Sequence, residues 1–290
     1  MYASEFEYYA PATVAEAVAL LGKYGDDAKV VSGSQSLVPM MRLRLSQLKH
    51  LVDLRKVPGL TGITESGGFV VIGGMTTHHL VSVSELVKKK LPMMAEAAGN
   101  IGDAQVRNLG TIGGSMAHAD PSADWPAVLT ALDASLVIAS AGGERTVKAG
   151  DFILGPLTTV LQPAEILTQV RVPLPQGRYG GAYEKVPHPA SRFAVVGVAA
   201  EVFLDAGGAV QSSRIAITGL GPKVSRATSV EQALQGKKPE AAALKAAAAK
   251  AADGFELRDD LIGSSAYKAN LAAVIAGRVL ARAVSRALAR

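Results

Sequence analysis

The chain has 290 residues, 49% of them hydrophobic and 19% charged, a composition typical of a well-buried globular protein rather than a disordered one. It contains no cysteine, which excludes disulfides, thiolate-bound zinc and iron–sulfur clusters held by this chain. The formal net charge of +5 is small for a nucleic-acid binder, and no recognition motif accompanies it.

Targeting signals and metal motifs are missing from the sequence pattern. Residues 1–7 lack the basic and apolar regions of a signal peptide, and no run of 18 or more apolar residues occurs. None of the five histidines has the i, i+4 spacing of a helical zinc pair. We therefore expect a cytoplasmic protein with no metal bound by this chain.

The first predicted unit has a helix, a strand and a glycine turn in succession. Residues 12–24 show helical spacing, with Thr13 as N-cap and Glu16 three residues later, which is the capping-box pattern. A strand at 29–31 then leads into a turn, where ligands of α/β units commonly bind. That turn is Ser32-Gly33-Ser34-Gln35-Ser36-Leu37, and the elements predicted after it are a helix at 40–48 and a strand near 51–54.

The second predicted unit contains a similar glycine turn, Leu109-Gly110-Thr111-Ile112-Gly113-Gly114-Ser115. A hairpin signal at Ser66-Gly67-Gly68 opens the unit. Its predicted strands are 61–65, 69–72, 135–139, 145–148 and 166–172, and its predicted helices are 80–90, 92–100 and 126–132.

The last predicted unit follows a Pro-rich linker at 173–177. Three strands followed by helices predict a three-stranded antiparallel sheet covered by helices, an α+β arrangement. The strands are 180–187, 193–204 and 213–218, and the helices are 229–235, 239–252 and 267–288. Four arginines recur at i, i+4 spacing in the last helix; we expect a solvated face, with docking to an acidic partner as the alternative. They are Arg278, Arg282, Arg286 and Arg290.

The two glycine turns share a chemistry suited to a diphosphate. Glycine lets the backbone approach an anion closely, and a diphosphate needs several convergent N–H groups. Small hydroxyl residues beside the glycines add further donors. Either turn taken alone is also consistent with an ordinary turn, since the chain has 30 glycines.

The residues that flank both turns carry a family resemblance. Residues 32–42 and 105–115 are similar to the flavin-binding signatures of the FAD-binding medium subunits of the molybdenum hydroxylases, the family of xanthine dehydrogenase and carbon monoxide dehydrogenase. The resemblance covers nearly the whole chain and continues through further motifs. These are Ala119-Asp120-Pro121-Ser122-Ala123-Asp124, Ala164-Glu165-Ile166-Leu167, Tyr183-Glu184-Lys185, Arg192-Phe193-Ala194-Val195-Val196 and Ser264-Ser265-Ala266-Tyr267-Lys268.

The resemblance implies both a fold and a domain division. The fold class is α+β, with a two-subdomain FAD-binding fold of the vanillyl-alcohol-oxidase/PCMH type and a C-terminal domain of a three-stranded antiparallel sheet with helices. We expect FAD-binding subdomains at 1–57 and 58–175 and the C-terminal domain at 178–290.

The same resemblance implies the cofactor site, with no catalytic residue on this chain. The two turns would wrap the FAD diphosphate, although Ser34 stands where the family usually has glycine and Ser115 where Asn or Asp is more frequent. The cofactor-binding residues implied are Ser32, Gly33, Ser34, Gln35, Ser36, Leu37, Thr111, Gly113, Gly114, Ser115, His118, Asp124, Ile166, Leu167, Lys185 and Phe193.

Several of these residues have individual roles in the resembling family, and each has a plainer alternative. Asp124 would contact the ribose or adenine side, or else cap a helix. Lys185 would lie near the pyrimidine end of the isoalloxazine, where a cation stabilises the reduced ring, or else be an exposed strand lysine. His118 would contact the flavin or be a hydrogen-bonded structural histidine. Ile166 and Leu167 would pack on the flavin ring or be plain core residues of a strand. Phe193 would shield one face of the ring.

The implied function is that of an FAD-carrying electron-transfer subunit of a three-subunit molybdenum-containing hydroxylase or dehydrogenase. A small subunit would supply electrons from two [2Fe–2S] clusters, a large subunit would hold the molybdenum cofactor, and an external acceptor would receive the electrons. We expect a dimer of heterotrimers, a heterohexamer. The alternatives are a free-standing FAD-dependent oxidoreductase and a flavin-free scaffold protein.

Overall fold

The computed structural model describes residues 2–290, which contain four β-sheets. The first is a parallel three-stranded sheet in the order β1-β3-β2. The elements of this part are β1 (Glu7–Tyr9), α1 (Val14–Tyr24), β2 (Ala28–Val31), α2 (Leu37–Arg42) and β3 (His50–Asp53). Within the register, Val31 at the end of β2 pairs with Asp53 at the end of β3, so both carboxyl ends lie at one edge of the sheet.

The predicted N-cap of α1 is confirmed, whereas α2 lies earlier than predicted. The Thr13 hydroxyl accepts from the Glu16 N–H at 3.1 Å, and α1 begins at Val14. Helix α2 begins three residues before the predicted 40–48 because Pro39 occupies its first turn, where no intrahelical N–H bond is lost. It ends early because Arg44 has φ +60°, outside helical geometry.

The second sheet is antiparallel in the order β4-β5-β10-β6-β7, and its predicted strands are confirmed. The predicted helix at 80–90 is two helices, because Ser84 has extended ψ and caps the second of them. Two short helices around the second glycine turn were not predicted. The elements are β4 (Ile63–Ser66), β5 (Phe69–Gly73), α3 (His78–Val83), α4 (Glu85–Lys90), α5 (Pro92–Asn100), α6 (Ala104–Leu109), α7 (Ile112–His118), α8 (Asp124–Ala131), β6 (Ser135–Ser140), β7 (Gly143–Lys148), α9 (Ala149–Phe152), β8 (Ile153–Gly155), β9 (Thr158–Thr159) and β10 (Ile166–Pro173), of which β8 and β9 form a separate pair.

The last sheet is antiparallel in the order β11-β12-β13-β14, with helices covering it. The two-residue strand β14 extends the predicted three-stranded sheet by one short strand. The elements are β11 (Arg178–Pro187), β12 (Ala194–Leu204), β13 (Val210–Thr218), β14 (Ser225–Arg226), α10 (Thr228–Leu234), α11 (Ala241–Ala248) and α12 (Ser265–Leu288). No helix within residues 2–290 combines the length and apolar character needed to cross a membrane.

The arginine stripe of α12 is only partly solvated: the Arg278 side chain is 65% exposed, whereas those of Arg282 and Arg286 are 38% and 30% exposed. Docking to an acidic partner stays a prediction. Arg282 donates to the Tyr183 carbonyl at 2.9 Å, and Arg286 donates to the Gly181 carbonyl at 2.6 Å. Arg278 pairs with Glu184. These bonds attach α12 to β11, a contact that helical spacing alone could not reveal.

A buried carboxyl group lies where this last sheet meets the preceding helices. Glu201 on β12 is 2% exposed and pairs with Arg214 at 2.9 Å. It shares a strand face with Ala199, which belongs to the core of the second unit. Burial raises the pKa of Glu201 from 4.5 to about 7, against the opposing effect of the Arg214 guanidinium.

The E201Q variant is therefore expected to change how stability depends on pH. A carboxyl whose pKa is higher in the folded protein stabilises the fold below about pH 4.5, and this contribution is lost as the pH rises to about 7. At about 1.4 kcal/mol per pH unit between pH 4.5 and about 7, the loss is about 3.5 kcal/mol. Glutamine stays neutral, so the free energy of unfolding should fall less between pH 4.5 and pH 8.

Urea unfolding at pH 5 and pH 8 measures this difference in the wild type and in E201Q. The E85Q variant is the control, because the Glu85 side chain is 88% exposed. Equal pH dependence in the wild type and E201Q would contradict the prediction.

Candidate functional site

The first glycine turn presents a run of unused backbone donors. The N–H groups of residues 33–37 have no acceptor anywhere in the described part of the chain. Ser34 has φ +60°, so it adopts the left-handed conformation that glycine usually occupies. The Gln35 side chain holds the turn by donating to the Gly33 carbonyl at 3.1 Å. Successive free amides around a left-handed residue form a concave site for an anion.

The second glycine turn lies directly against the first. A Cβ atom added to Gly33 would lie 2.3 Å from the Leu109 carbonyl oxygen and 2.6 Å from the Gly110 Cα. The hydroxyls of Ser32 and Thr111 form a hydrogen bond of 2.7 Å. The fold thus brings together the two turns that the sequence singled out.

Most backbone donors of the second turn are used within the protein, whereas the Thr111 N–H has no acceptor among residues 2–290. The Gly113 N–H donates to the Gly74 carbonyl at 2.9 Å, and the Gly114 N–H donates to the Thr111 hydroxyl at 3.0 Å. The amides of Ile112 and Ser115 are bonded as well. What this turn offers a ligand is close approach and the hydroxyl of half-buried Ser115.

Strand β10 contacts the second turn through Gly74, which lies between them. The Gly74 N–H donates to the Thr168 carbonyl at 2.7 Å, and a Cβ on Gly74 would lie 2.5 Å from the Leu167 carbonyl oxygen. The side chains of Ile166 and Leu167 are 2% and 7% exposed and belong to two core clusters. They have little surface left for a flavin ring.

His118 is the last residue of α7 and is half-buried. Its imidazole has no hydrogen bond to any of residues 2–290, so its role in the flavin site stays a prediction.

A second cluster joins α8 to β11 through a buried ion pair. The Lys185 ammonium donates to the two Asp124 oxygens at 2.8 and 2.9 Å, and the two side chains are only 3% and 4% exposed. The Tyr183 hydroxyl donates to Asp124 Oδ1 at 2.5 Å. Burial raises the pKa of the Asp124 carboxyl, while the Lys185 ammonium and the Tyr183 hydroxyl oppose that rise.

This ion pair means that two expected placements cannot both hold. Asp124 was expected at the ribose or adenine side and Lys185 at the pyrimidine end, but residues in direct contact cannot lie at opposite ends of FAD. The plainer alternatives for the two residues are wrong. Ala123 is the N-cap of α8, and Asp124 is the first helical residue without a capping bond from its side chain. Lys185 is not exposed.

The loop after β11 completes this cluster. The Lys185 ammonium also donates to the Arg192 carbonyl at 2.7 Å, and Arg192 has φ +60°. The His188 N–H donates to the Phe193 carbonyl at 2.7 Å, which closes the loop. Phe193 is 38% exposed at its end, so it has a ring face available to a ligand.

Sequence reasoning missed two buried residues at this site. Tyr183 lies two residues before Lys185 on the same strand face, a spacing that could have linked them. His78 accepts the Trp125 indole N–H at Nδ1 over 3.0 Å, and its Nε2 lies 2.8 Å from where a Cβ of Gly110 would be. Burial, and then the charge of Arg107, lowers the pKa of His78 to about 4, so the imidazole is neutral.

Comparison with known protein families gives two matches in sequence order. Residues 4–175 match the FAD binding domain in molybdopterin dehydrogenase, and residues 181–283 match the CO dehydrogenase flavoprotein C-terminal domain. The chain is 42% identical over 290 residues to the carbon monoxide dehydrogenase medium chain of Hydrogenophaga pseudoflava, covering 100% of this chain and 99% of the relative. It is 37% identical to the glyceraldehyde dehydrogenase medium chain of Sulfolobus acidocaldarius, covering 95% and 97%.

Solved structures are similar to this chain over 99% of its length. Carbon monoxide dehydrogenase from Hydrogenophaga pseudoflava lacking the Mo-pyranopterin moiety contains a chain with a TM-score of 0.94 and 43% identity, covering 99% of both chains. Quinoline 2-oxidoreductase from Pseudomonas putida 86 gives a TM-score of 0.93 at 33% identity, covering 99% of this chain and 100% of the other.

Proposed function

This chain belongs to the FAD-binding medium subunits of the carbon monoxide dehydrogenase-type molybdenum hydroxylases, and on that premise we propose that it passes electrons from [2Fe–2S] clusters of a partner subunit through FAD to an external acceptor. It is the flavoprotein part of an oxidoreductase. The proposal places substrate oxidation on a molybdenum-binding large subunit and the clusters on a small subunit, assembled as a dimer of heterotrimers in the cytoplasm.

One observation carries the assignment of FAD to this chain. The unused amides of residues 33–37 form an anion site, and Gly33 allows the second glycine turn to close against it. These groups fit the FAD diphosphate, with the hydroxyls of Ser32, Thr111 and Ser115 beside them. Flavins supply reversible electron acceptance, and the protein's part is to bind, orient and tune the cofactor.

The remaining site residues either hold the isoalloxazine ring of FAD or set the charge around it. In this proposal Lys185 supplies positive charge near the pyrimidine end, and Asp124 is its counter-ion rather than a ribose contact. Phe193 covers one ring face from its closed loop. Gly113 and Gly114 keep the second turn free of side-chain bulk, and His118 flanks it. Ile166 and Leu167 act through the backbone that supports the turn.

Purification without denaturation tests the proposal. The visible spectrum, the identity of the released chromophore and the polypeptide ratio are measured together. We expect one FAD per chain, iron–sulfur absorbance and two further polypeptides in equal amount.

Other outcomes separate the alternatives. A lone yellow chain that turns over a substrate by itself would favour a free-standing flavoenzyme. A colourless chain that does not bind added FAD would contradict every flavin-based function.

A further inference from the structure

Tyr183 connects the two parts of the molecule that meet at the Asp124–Lys185 pair. Its ring is 2% exposed, and its hydroxyl reaches Asp124 Oδ1 at 2.5 Å. It lies on β11 two residues before Lys185, so both side chains face α8. We propose that Tyr183 is a positioning residue that keeps Asp124 ionised and thereby sets how much of the Lys185 charge acts on the flavin. The inference rests on the proposed function.

The backbone around Tyr183 leaves room for the phenol and for no larger group. A Cβ on Gly197 would lie 2.6 Å from the Tyr183 hydroxyl oxygen and 3.0 Å from Thr218 Cγ2. Gly197 pairs with Lys185 across the strands, so this glycine stands opposite the lysine of the cluster. The Tyr183 phenol is therefore confined to one position, and from there its hydroxyl donates to Asp124.

The backbone segment just before Asp124 is also attached to the last sheet. The Thr218 hydroxyl oxygen lies 2.8 Å from the carbonyl oxygens of both Pro121 and Ala123, which share its one hydrogen. The Ala194 N–H donates to the Ser122 carbonyl at 3.0 Å. These bonds fix the segment before α8 on the last sheet.

The phenol hydrogen bond stabilises the charged form of a buried carboxylate. Without it, Asp124 loses one of the donors that stabilise its charged form and takes up a proton more readily. A neutral Asp124 leaves the lysine charge uncompensated in a site of low dielectric, where that charge favours a reduced, more negative flavin.

The charged groups facing Tyr183 come from each element packed on it. Asp124 lies on α8 and Lys185 on β11. The Glu96 carboxylate on α5 accepts from the Tyr183 N–H at 3.2 Å, and Arg282 on α12 donates to its carbonyl at 2.9 Å. The last two contact only the backbone of Tyr183, so replacing the hydroxyl leaves them in place.

The Y183F variant of the FAD-loaded protein tests the inference. We expect the two-electron midpoint potential at pH 7, measured by spectroelectrochemical titration, to rise by at least about 30 mV, equivalent to a tenfold change in the ratio of oxidised to reduced flavin. The difference from the wild type should shrink as the pH rises, because Asp124 then ionises again. Y179F is the matched control, because buried Tyr179 lies on the same strand face and donates to the Lys90 carbonyl instead.

A second variant keeps the test independent of how Y183F folds. D124N retains the phenol but removes the negative charge, so it should raise the potential at least as much. Adding Y183F to D124N should then change the potential little, because both act through one charge.

Two results would overturn the inference alone: flavin bound with an unchanged potential in Y183F and D124N, or an equal shift in Y179F. Wild-type protein without flavin would instead overturn the proposed function, and this inference with it.

Discussion

The G33A variant is expected to bind FAD at least about 100-fold more weakly than the wild type, a loss of about 2.7 kcal/mol. The added Cβ would lie 2.3 Å from the Leu109 carbonyl oxygen and 2.6 Å from the Gly110 Cα. Both are backbone atoms, so no side chain can rotate to relieve the clash. The two glycine turns must separate, and the amides of residues 33–37 then lose their shared geometry.

Titration of the flavin-depleted protein with FAD, followed by flavin fluorescence, measures the change in affinity. G99A is the control, because a Cβ on Gly99 meets nothing within 4 Å and this glycine lies in helix α5 with ordinary φ. G99A should bind FAD like the wild type. An affinity of G33A within threefold of the wild type would show that the close contact between the turns is not needed.

Much of the fold could be predicted because its elements carry local signals. The hairpin of β4 and β5 was predicted from adjacent glycines, and both Gly67 and Gly68 have positive φ in the turn. Helices α6 and α7 were missed because each is short and α7 contains two glycines, which disfavour helix. Their N-caps, Asp103 and Thr111, were the available signal.

The site was predicted in its parts but not in its connections. The sequence located both glycine turns, yet which amides stay unbonded depends on Gly74 and Thr76, which contact the second turn from another segment. Asp124 and Lys185 were each identified as cofactor residues, but their ion pair spans 61 positions of sequence. Contacts of that range depend on how the last sheet packs on α8, and no local pattern encodes that packing.

The K185M variant is expected to lower the free energy of unfolding by about 3–5 kcal/mol, because it leaves the Asp124 carboxylate buried without its cation. Methionine keeps the length of the side chain, so lost packing contributes little. The double variant K185M/D124N removes both charges and should recover most of that loss. Urea unfolding of the flavin-depleted wild type, both single variants and the double variant gives the coupling between the two positions.

This cycle separates the structural role of the ion pair from its proposed effect on flavin. With FAD bound, K185M should lower the midpoint potential, since the stabilising cation is gone, whereas Y183F should raise it. Loss of a buried hydrogen bond or of packing destabilises the protein in both variants and gives no reason for opposite shifts. Shifts of the same sign, or additive stability losses in the double variant, would contradict the assignment of Asp124 as the counter-ion through which Tyr183 and Lys185 act.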